Sequence, residues 1–144
     1  MTEDEVNQSC YKWLVARGYH YKGVLNHNIN KLNHHGKGYG QVPIPDDKRQ
    51  VLIDHQGIKD NPIDMIWIEA KGSDMGMSQL LEGFTRLGYA CWCGGGKGLL
   101  AIPDAEYNQL FDGLPKGYLT SIAKASERRL GLLNATTLNE LWLD

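Results

Sequence analysis

Helical spacing of apolar residues predicts five helices. The first covers residues 3–17 and opens with a capping box formed by Thr2 and Glu5. The second covers residues 77–88 and is expected to end at Gly88, because glycine commonly terminates helices. The other three are predicted in the C-terminal third, over residues 104–112, 119–130 and 137–143.

Alternating or continuous apolar runs predict the strands, which cover residues 19–25, 49–55, 63–71, 89–93 and 99–103. A turn at 56–62, with Gly57, Asn61 and Pro62, predicts that the second and third of these form a hairpin. The glycine-rich run Gly94–Gly98 predicts a turn between the last two. Because a helix separates strand 63–71 from strand 89–93, those two strands are expected to be parallel neighbours.

Strand 63–71 is apolar on both faces. Trp67 alternates onto the same face as Glu69 and Lys71, while Ile66 and Ile68 lie on the other. A strand of this kind is expected at the centre of a sheet that is covered on each side. The sequence therefore predicts an α/β fold with a mixed central β-sheet flanked by helices.

Chain length and composition narrow the class of protein. The 144 residues, of which 42% are hydrophobic, predict a single domain over 1–144. No run of about 18 apolar residues occurs, and the first residues do not resemble a signal peptide, so a soluble cytoplasmic protein is expected. The three cysteines are an odd number, and Cys91 and Cys93 are too close for an easy disulfide, which predicts reduced thiols.

Two ionisable residues end the predicted central strand. Glu69 and Lys71 point the same way, and burying them is costly unless they are paired or used. A carboxylate here can ligate Mg²⁺, and a neighbouring ammonium can position an attacking water beside a phosphate. The alternative is a same-face ion pair of little energetic consequence.

A second carboxylate is needed to hold a cation of this kind. Asp54, fifteen residues before Glu69, can reach it if the predicted hairpin forms. Asp64 lies on the other face of the strand, and Asp46 lies in a proline-rich loop. Both stay open as alternatives, since the register of the hairpin is not fixed by the sequence.

The order of an Asp-ended strand and a Glu69-Ala70-Lys71 strand resembles the PD-(D/E)xK nuclease superfamily over roughly residues 5–103. The resemblance implies Mg²⁺ or Mn²⁺, DNA as substrate and hydrolysis of phosphodiester bonds that leaves a 5′-phosphate. It assigns the metal to Asp54, Glu69 and the backbone carbonyl of Ala70, and catalysis to the same acids with Lys71. It also adds Glu5 of the first helix and Gln79 of the second, although Glu5 can equally be only a cap and Gln79 only a solvent-facing residue.

Cations are distributed unevenly along the chain. Residues 6–45 hold no Asp or Glu, although the formal net charge of the whole chain is −2. This asymmetry favours a DNA-facing segment, unless the loop simply lacks acids. The residues expected to contact DNA are Lys22, Lys31, His34, His35 and Lys37, together with Lys97 in the glycine-rich turn.

The sequence thus predicts a Mg²⁺-dependent DNA endonuclease. A junction-resolving enzyme similar to Holliday junction resolvases and a restriction-like or repair enzyme both stay open. Symmetric cleavage of a junction would need a homodimer, for which an apolar C-terminus offers a contact at Leu138, Leu141, Trp142 and Leu143. The rival hypothesis is a non-catalytic member of the same fold that binds nucleic acid or protein.

Overall fold

The structure, a computed structural model, describes residues 1–21, 40–43, 50–111 and 114–143. Four helices lie within these ranges: α1 Glu3–Ala16, α2 Met77–Gly94, α3 Asp104–Phe111 and α4 Leu114–Ser126. The same ranges contain eight strands: β1 His20–Tyr21, β2 Gly40–Pro43, β3 Gln50–Ile53, β4 His55–Lys59, β5 Asp64–Ala70, β6 Lys97–Ile102, β7 Leu130–Asn134 and β8 Glu140–Leu143. None of these helices has the length and apolarity needed to cross a membrane.

Six strands form a mixed sheet in the order β1-β4-β5-β6-β7-β8. The central pairs β5–β6 and β6–β7 are parallel, whereas the outer pairs are antiparallel. Strands β2 and β3 form a separate antiparallel pair. The predicted α/β class is confirmed, and the arrangement is consistent with a restriction-endonuclease-like core.

Strand β5 is buried on both faces, as its sequence predicts. Trp67 packs into a cluster with Phe84 of α2 and Leu119 of α4. Ile66 and Ile68 pack on the opposite side of the sheet, in a cluster to which α1 contributes its apolar side. Burial of an apolar side chain of this size stabilises the fold by about 1.5–3 kcal/mol, so both faces hold the strand in place.

Helix α2 is longer than the sequence predicts, and the predicted strand 89–93 is wrong. Ala90 and Cys91 are fully buried and continue the apolar stripe of the helix by one more turn. Gly88 is a contact point with α4, since a Cβ there would lie 3.3 Å from Ile122 Cγ2. The helix instead runs to Gly94 and is capped by Gly95, whose φ of +78° suits glycine.

The parallel neighbour of β5 is consequently β6, with Ile68 opposite Leu99. The crossover through a helix was predicted correctly, but the strand it leads to starts eight residues later than expected, at residue 97 instead of 89. The glycine-rich run 94–98 covers the end of α2, the connection at Gly95 and Gly96 and the start of β6, and is therefore not the turn of a β-hairpin.

The hairpin that includes β5 is also shifted from its predicted position. Strand β4 pairs with β5 from His55 opposite Ile68 to Lys59 opposite Asp64. Most of the predicted turn 56–62 is therefore strand. Residues 50–53, which were predicted to pair with β5, pair with β2 in the small sheet.

The C-terminal helix predicted over 137–143 is wrong, since this segment contains β8 and pairs with β7. Strand β7 was not predicted either: every one of its residues is buried, and such a short continuous apolar run fits a helix or a central strand equally well. Leu143 is buried, and the other three residues proposed for a dimer contact pack against the two cores: Leu138, Leu141 and Trp142. These residues thus take part in the fold of the chain itself, and the dimer contact stays a prediction.

Candidate carboxylate site

Two buried carboxylates meet where β5 ends. The register of β4 with β5 pairs His55 with Ile68, which puts Asp54 beside Glu69. Asp54 Oδ2 accepts a hydrogen bond of 2.9 Å from the backbone amide of Ala70. The side chains of Asp54 and Glu69 are also hydrogen-bonded to each other, and only 6% and 5% of their surfaces are exposed. The structure thus brings together the two acids that the sequence singled out.

The electrostatics of this pair favour an extra positive charge. Burial raises the pKa of Glu69 well above its ordinary value, and the hydrogen bond and negative charge of Asp54 raise it further. The positive charges of Lys71 and Arg86 act in the opposite direction but do not compensate. The two acids therefore share a proton at neutral pH when no cation is bound.

Arg86 of α2 is a site residue that the sequence analysis missed. Its Nε lies 4.0 Å from Glu69 Oε2, and its side chain is 50% exposed. The only sequence signal was its position on the polar side of the second helix, which is shared by many surface residues. Proximity to Glu69 depends on how α2 crosses the sheet, so the sequence alone could not select it.

Lys71 and Arg86, the two cations near this pair, line a small cavity. The cavity has a volume of about 160 Å³ and is lined by Lys71, Met75, Gln79, Glu82, Gly83 and Arg86. A Cβ at Gly83 would lie 3.1 Å from Lys71 Cε, so the absence of a side chain there leaves room for the lysine stem against α2. Of the predicted pair Glu69 and Lys71, only Lys71 lines this cavity, and Arg86 connects the cavity to Glu69.

Gln79 lines the same cavity but has a structural partner. Its Oε1 accepts a hydrogen bond of 3.3 Å from the amide of Gly76, which caps the first turn of α2. The catalytic role suggested for Gln79 stays a prediction.

Glu5 is a capping residue in this structure. Its Oε1 accepts a 3.0 Å hydrogen bond from the Thr2 amide, while Thr2 Oγ1 accepts one from the Glu5 amide. The bonds to Thr2 lower the pKa of Glu5, as expected for a carboxylate at a helix start. Over the described ranges, no group of three or more His, Cys, Asp and Glu side chains is placed to hold a metal, so Glu5 does not join Asp54 and Glu69 in such a group.

A buried polar layer lies under the carboxylates. His55, which follows Asp54, is hydrogen-bonded through Nε2 to Asn7 Oδ1 of α1 at 2.8 Å, and both residues are fully buried. Cys10 of the same helix is also buried, and its pKa is raised by burial and then by the charges of Asp54 and Glu69. Helix α1 therefore packs against the strand residues next to the two carboxylates. Cys10 is a protonated thiol.

The alternative acid Asp64 lies at the other end of β5, roughly 17 Å from Glu69 by the strand rise. Tyr19 donates a 2.8 Å hydrogen bond to its Oδ2, and Lys97 Nζ lies 3.1 Å from the same atom. Lys97 was expected to contact DNA from a hairpin turn, but it lies in a strand and forms an ion pair. The structure brings neither Asp64 nor Lys97 to the carboxylate pair.

The remaining residues suggested by the sequence lie outside the described residues. They are Asp46, Lys22, Lys31, His34, His35 and Lys37. Their suggested roles stay predictions.

The donor atoms at this site fit a hard divalent cation. Mg²⁺ and Mn²⁺ bind carboxylate oxygens, and buried like charges are stabilised when a cation replaces the shared proton. Asp54 and Glu69 would hold the ion, with the carbonyl of Ala70 as the further ligand that the superfamily resemblance implies. The predicted metal is thus compatible with the chemistry of the residues present.

Comparison with known proteins supports the fold. No family model matches the sequence, and no curated protein matches it. Among solved structures, the chain is similar to an XisH family protein from Nostoc punctiforme PCC 73102, with a TM-score of 0.58 and 11% identity. The similarity covers 97% of this chain and 99% of that protein. At this level of identity the likeness shows a shared fold, and the function must be argued from the site.

Proposed function

We propose that this protein is a nuclease that hydrolyses phosphodiester bonds in DNA with the help of Mg²⁺ or Mn²⁺. The observation that carries the proposal is the buried pair Asp54 and Glu69 at the end of a central strand, beside Lys71 and Arg86, which line a cavity. An α/β fold with a mixed sheet is compatible with a nuclease, and the superfamily resemblance leads to the same chemistry.

Each residue has a distinct part in the proposed reaction. Asp54 and Glu69 would hold a divalent cation, which would supply Lewis-acid activation of the phosphate and of water. The hydrogen bond from the Ala70 amide fixes the Asp54 carboxylate at the strand end. The Lys71 ammonium positions the attacking water and offsets the charge of the phosphate. Arg86 adds a second positively charged side chain, besides Lys71, on the exposed side of Glu69.

The first experiment is metal binding followed by cleavage. Calorimetric titration of the wild-type chain with Mn²⁺ should give a binding signal that Glu69→Ala abolishes and Asp64→Asn leaves intact. Purified protein with Mg²⁺ or Mn²⁺ should then cut single-stranded, duplex or branched DNA. Absence of cleavage on all three substrates would refute the proposed function.

The substrate structure is a finer question. A junction-resolving activity would require faster cleavage of a four-way junction than of the matching linear duplex, and a homodimer in solution. Equal rates on both substrates would favour a restriction-like or repair activity.

A non-catalytic binding protein is the second candidate. It is favoured by the fact that only two acids, and no group of three metal-binding side chains, come together in the part of the chain that is described. Nucleic-acid or protein binding with no calorimetric response to Mn²⁺ would support this candidate over the enzyme.

A further inference from the structure

An aromatic groove lies between α2 and α4 and is separate from the carboxylate pair. Three large side chains line it with much of their surface exposed: Tyr89 at 42%, Trp92 at 50% and Tyr118 at 54%. The groove consists of two adjoining cavities of about 720 Å³ and about 250 Å³, which share Thr85 and Tyr89. Exposed aromatic residues grouped in this way mark a binding surface more often than isolated ones do.

The groove is continuous with the cavity of the candidate site. Glu82 and Arg86 line both the cavity that contains Lys71 and the larger part of the groove. By the helical rise, Tyr89 lies about 4.5 Å and Trp92 about 9 Å further along α2 than Arg86. The Arg86 guanidinium, 4.0 Å from Glu69, therefore lies between the carboxylate pair and the aromatic side chains of the groove.

The chemistry of the groove distinguishes unpaired nucleotides from duplex DNA. A duplex presents phosphates outward and keeps its bases stacked inside, so exposed rings find few partners on it. An unpaired strand exposes the faces of its bases, which stack on aromatic side chains regardless of sequence. The lining of the groove is mainly aromatic, aliphatic and hydroxyl-bearing, with Arg86 as the cation nearest the candidate site.

We propose that Tyr89, Trp92 and Tyr118 form a stacking surface for unpaired nucleotides that flank the phosphate at the carboxylate site. The inference rests on the proposed nuclease function and deepens it by naming single-stranded or unpaired DNA as the substrate class. The backbone of the strand passes Arg86, and the bases beyond it enter the groove. Tyr89 and Trp92 already form a tilted pair, with ring centroids 6.1 Å apart.

The test measures binding without cleavage. A fluorescein-labelled oligothymidylate of about 20 nucleotides, longer than one typical single-strand site, is titrated with the full chain in EDTA and followed by anisotropy. Trp92→Ala and Tyr118→Ala should each weaken binding about tenfold, while Trp92→Phe retains most of it. A duplex of the same length should bind equally to all variants. The control is Ile63→Ala, which removes an exposed apolar side chain at the other end of β5.

The possible outcomes separate this inference from the proposed function. If both alanine variants are folded by circular dichroism and bind the single strand as tightly as the wild type, the stacking surface is refuted. If they change only the sedimentation-equilibrium mass, the groove holds a second copy of the chain and the inference is also refuted. Should Trp92→Ala fail to fold, Tyr118→Ala decides by itself. A wild-type chain that binds through the groove but cuts no DNA refutes the nuclease proposal alone.

Discussion

The two ends of β5 hold carboxylates in opposite electrostatic situations. At its start, Asp64 accepts hydrogen bonds from Tyr19 and Lys97. At its end, Glu69 is buried against another acid, Asp54. The same strand therefore holds one acid whose charge is balanced by neighbours and one whose charge is not.

The pKa directions follow from this difference. Burial works against ionisation of Asp64, but the hydrogen bonds of Tyr19 and Lys97 and the charges of Lys97 and Lys59 outweigh it, so the pKa of Asp64 is lowered. Burial and Asp54 both raise the pKa of Glu69. A buried acid whose neighbouring cations do not offset burial and a like charge is typical of a functional site, whereas a compensated one is typical of a structural ion pair.

The largest effect is expected when the lysine near each end of β5 is replaced by alanine. Lys71→Ala should lower the rate of DNA cleavage at least about 100-fold, because it removes a positive charge beside the reacting phosphate. Lys97→Ala should change the rate less than about threefold, because its partner is Asp64 at the distant end. Single-turnover kinetics on a labelled substrate measure both. Equal losses of cleavage rate in the two variants would contradict a functional difference between the two ends of β5.

The next effect is on the free energy of unfolding, which is expected to change in opposite directions at the two ends of β5. Glu69→Gln should stabilise the metal-free chain at pH 8 by about 2 kcal/mol, because an amide can donate the hydrogen bond to Asp54 without the proton that the pair must take up on folding at this pH. Asp64→Asn should destabilise it by about 0.5–1 kcal/mol, because Lys97 loses a half-exposed partner. Urea unfolding in EDTA measures both. Destabilisation by Glu69→Gln would show that proton uptake by the pair does not cost stability at this pH.

The pH dependence of stability should separate the same two acids. Since the pKa of Glu69 is raised by folding, its contribution is fully present below pH 4.5 and is lost as the pH rises through the folded value. Asp64 has a lowered pKa, so its contribution is lost only as the pH falls below its ordinary value of 3.8. Metal-free unfolding curves from pH 5 upward should therefore show a declining stability, of at most about 1.4 kcal/mol per pH unit, that Glu69→Gln flattens.

The smallest effect is expected at Gly83. In Gly83→Ala the new Cβ would press on Lys71 Cε at 3.1 Å, so the flexible lysine stem must shift. Cleavage should slow by about threefold, with little change in stability, since alanine favours the helix. Gly117→Ala is the matched control, because no atom lies within 4 Å of a Cβ added there. If Gly83→Ala and Gly117→Ala cleave DNA equally fast, the contact with Gly83 does not position the Lys71 side chain.

Prediction from sequence succeeded where the signal was local. The periodicity of α1 and the two-sided apolar pattern of β5 were sufficient to identify both elements. It was wrong at residues 89–93, because a short buried apolar run fits either a helix or a strand, and it assigned no strand to the similar run at 131–134. Neither Arg86 nor Gly83 could be selected, since each matters only through the packing of α2 on the sheet.

The sequence by itself determined the strand end with Glu69 and Lys71, because alternation along an extended backbone fixes which side chains share a face. It left three possible partners for Glu69. Of the two that the structure describes, the register of β4 against β5 selected Asp54 and left Asp64 at the far end of the strand. That choice is a tertiary one, because pairing between strands depends on the packing of both sheet faces and cannot be read from either strand alone.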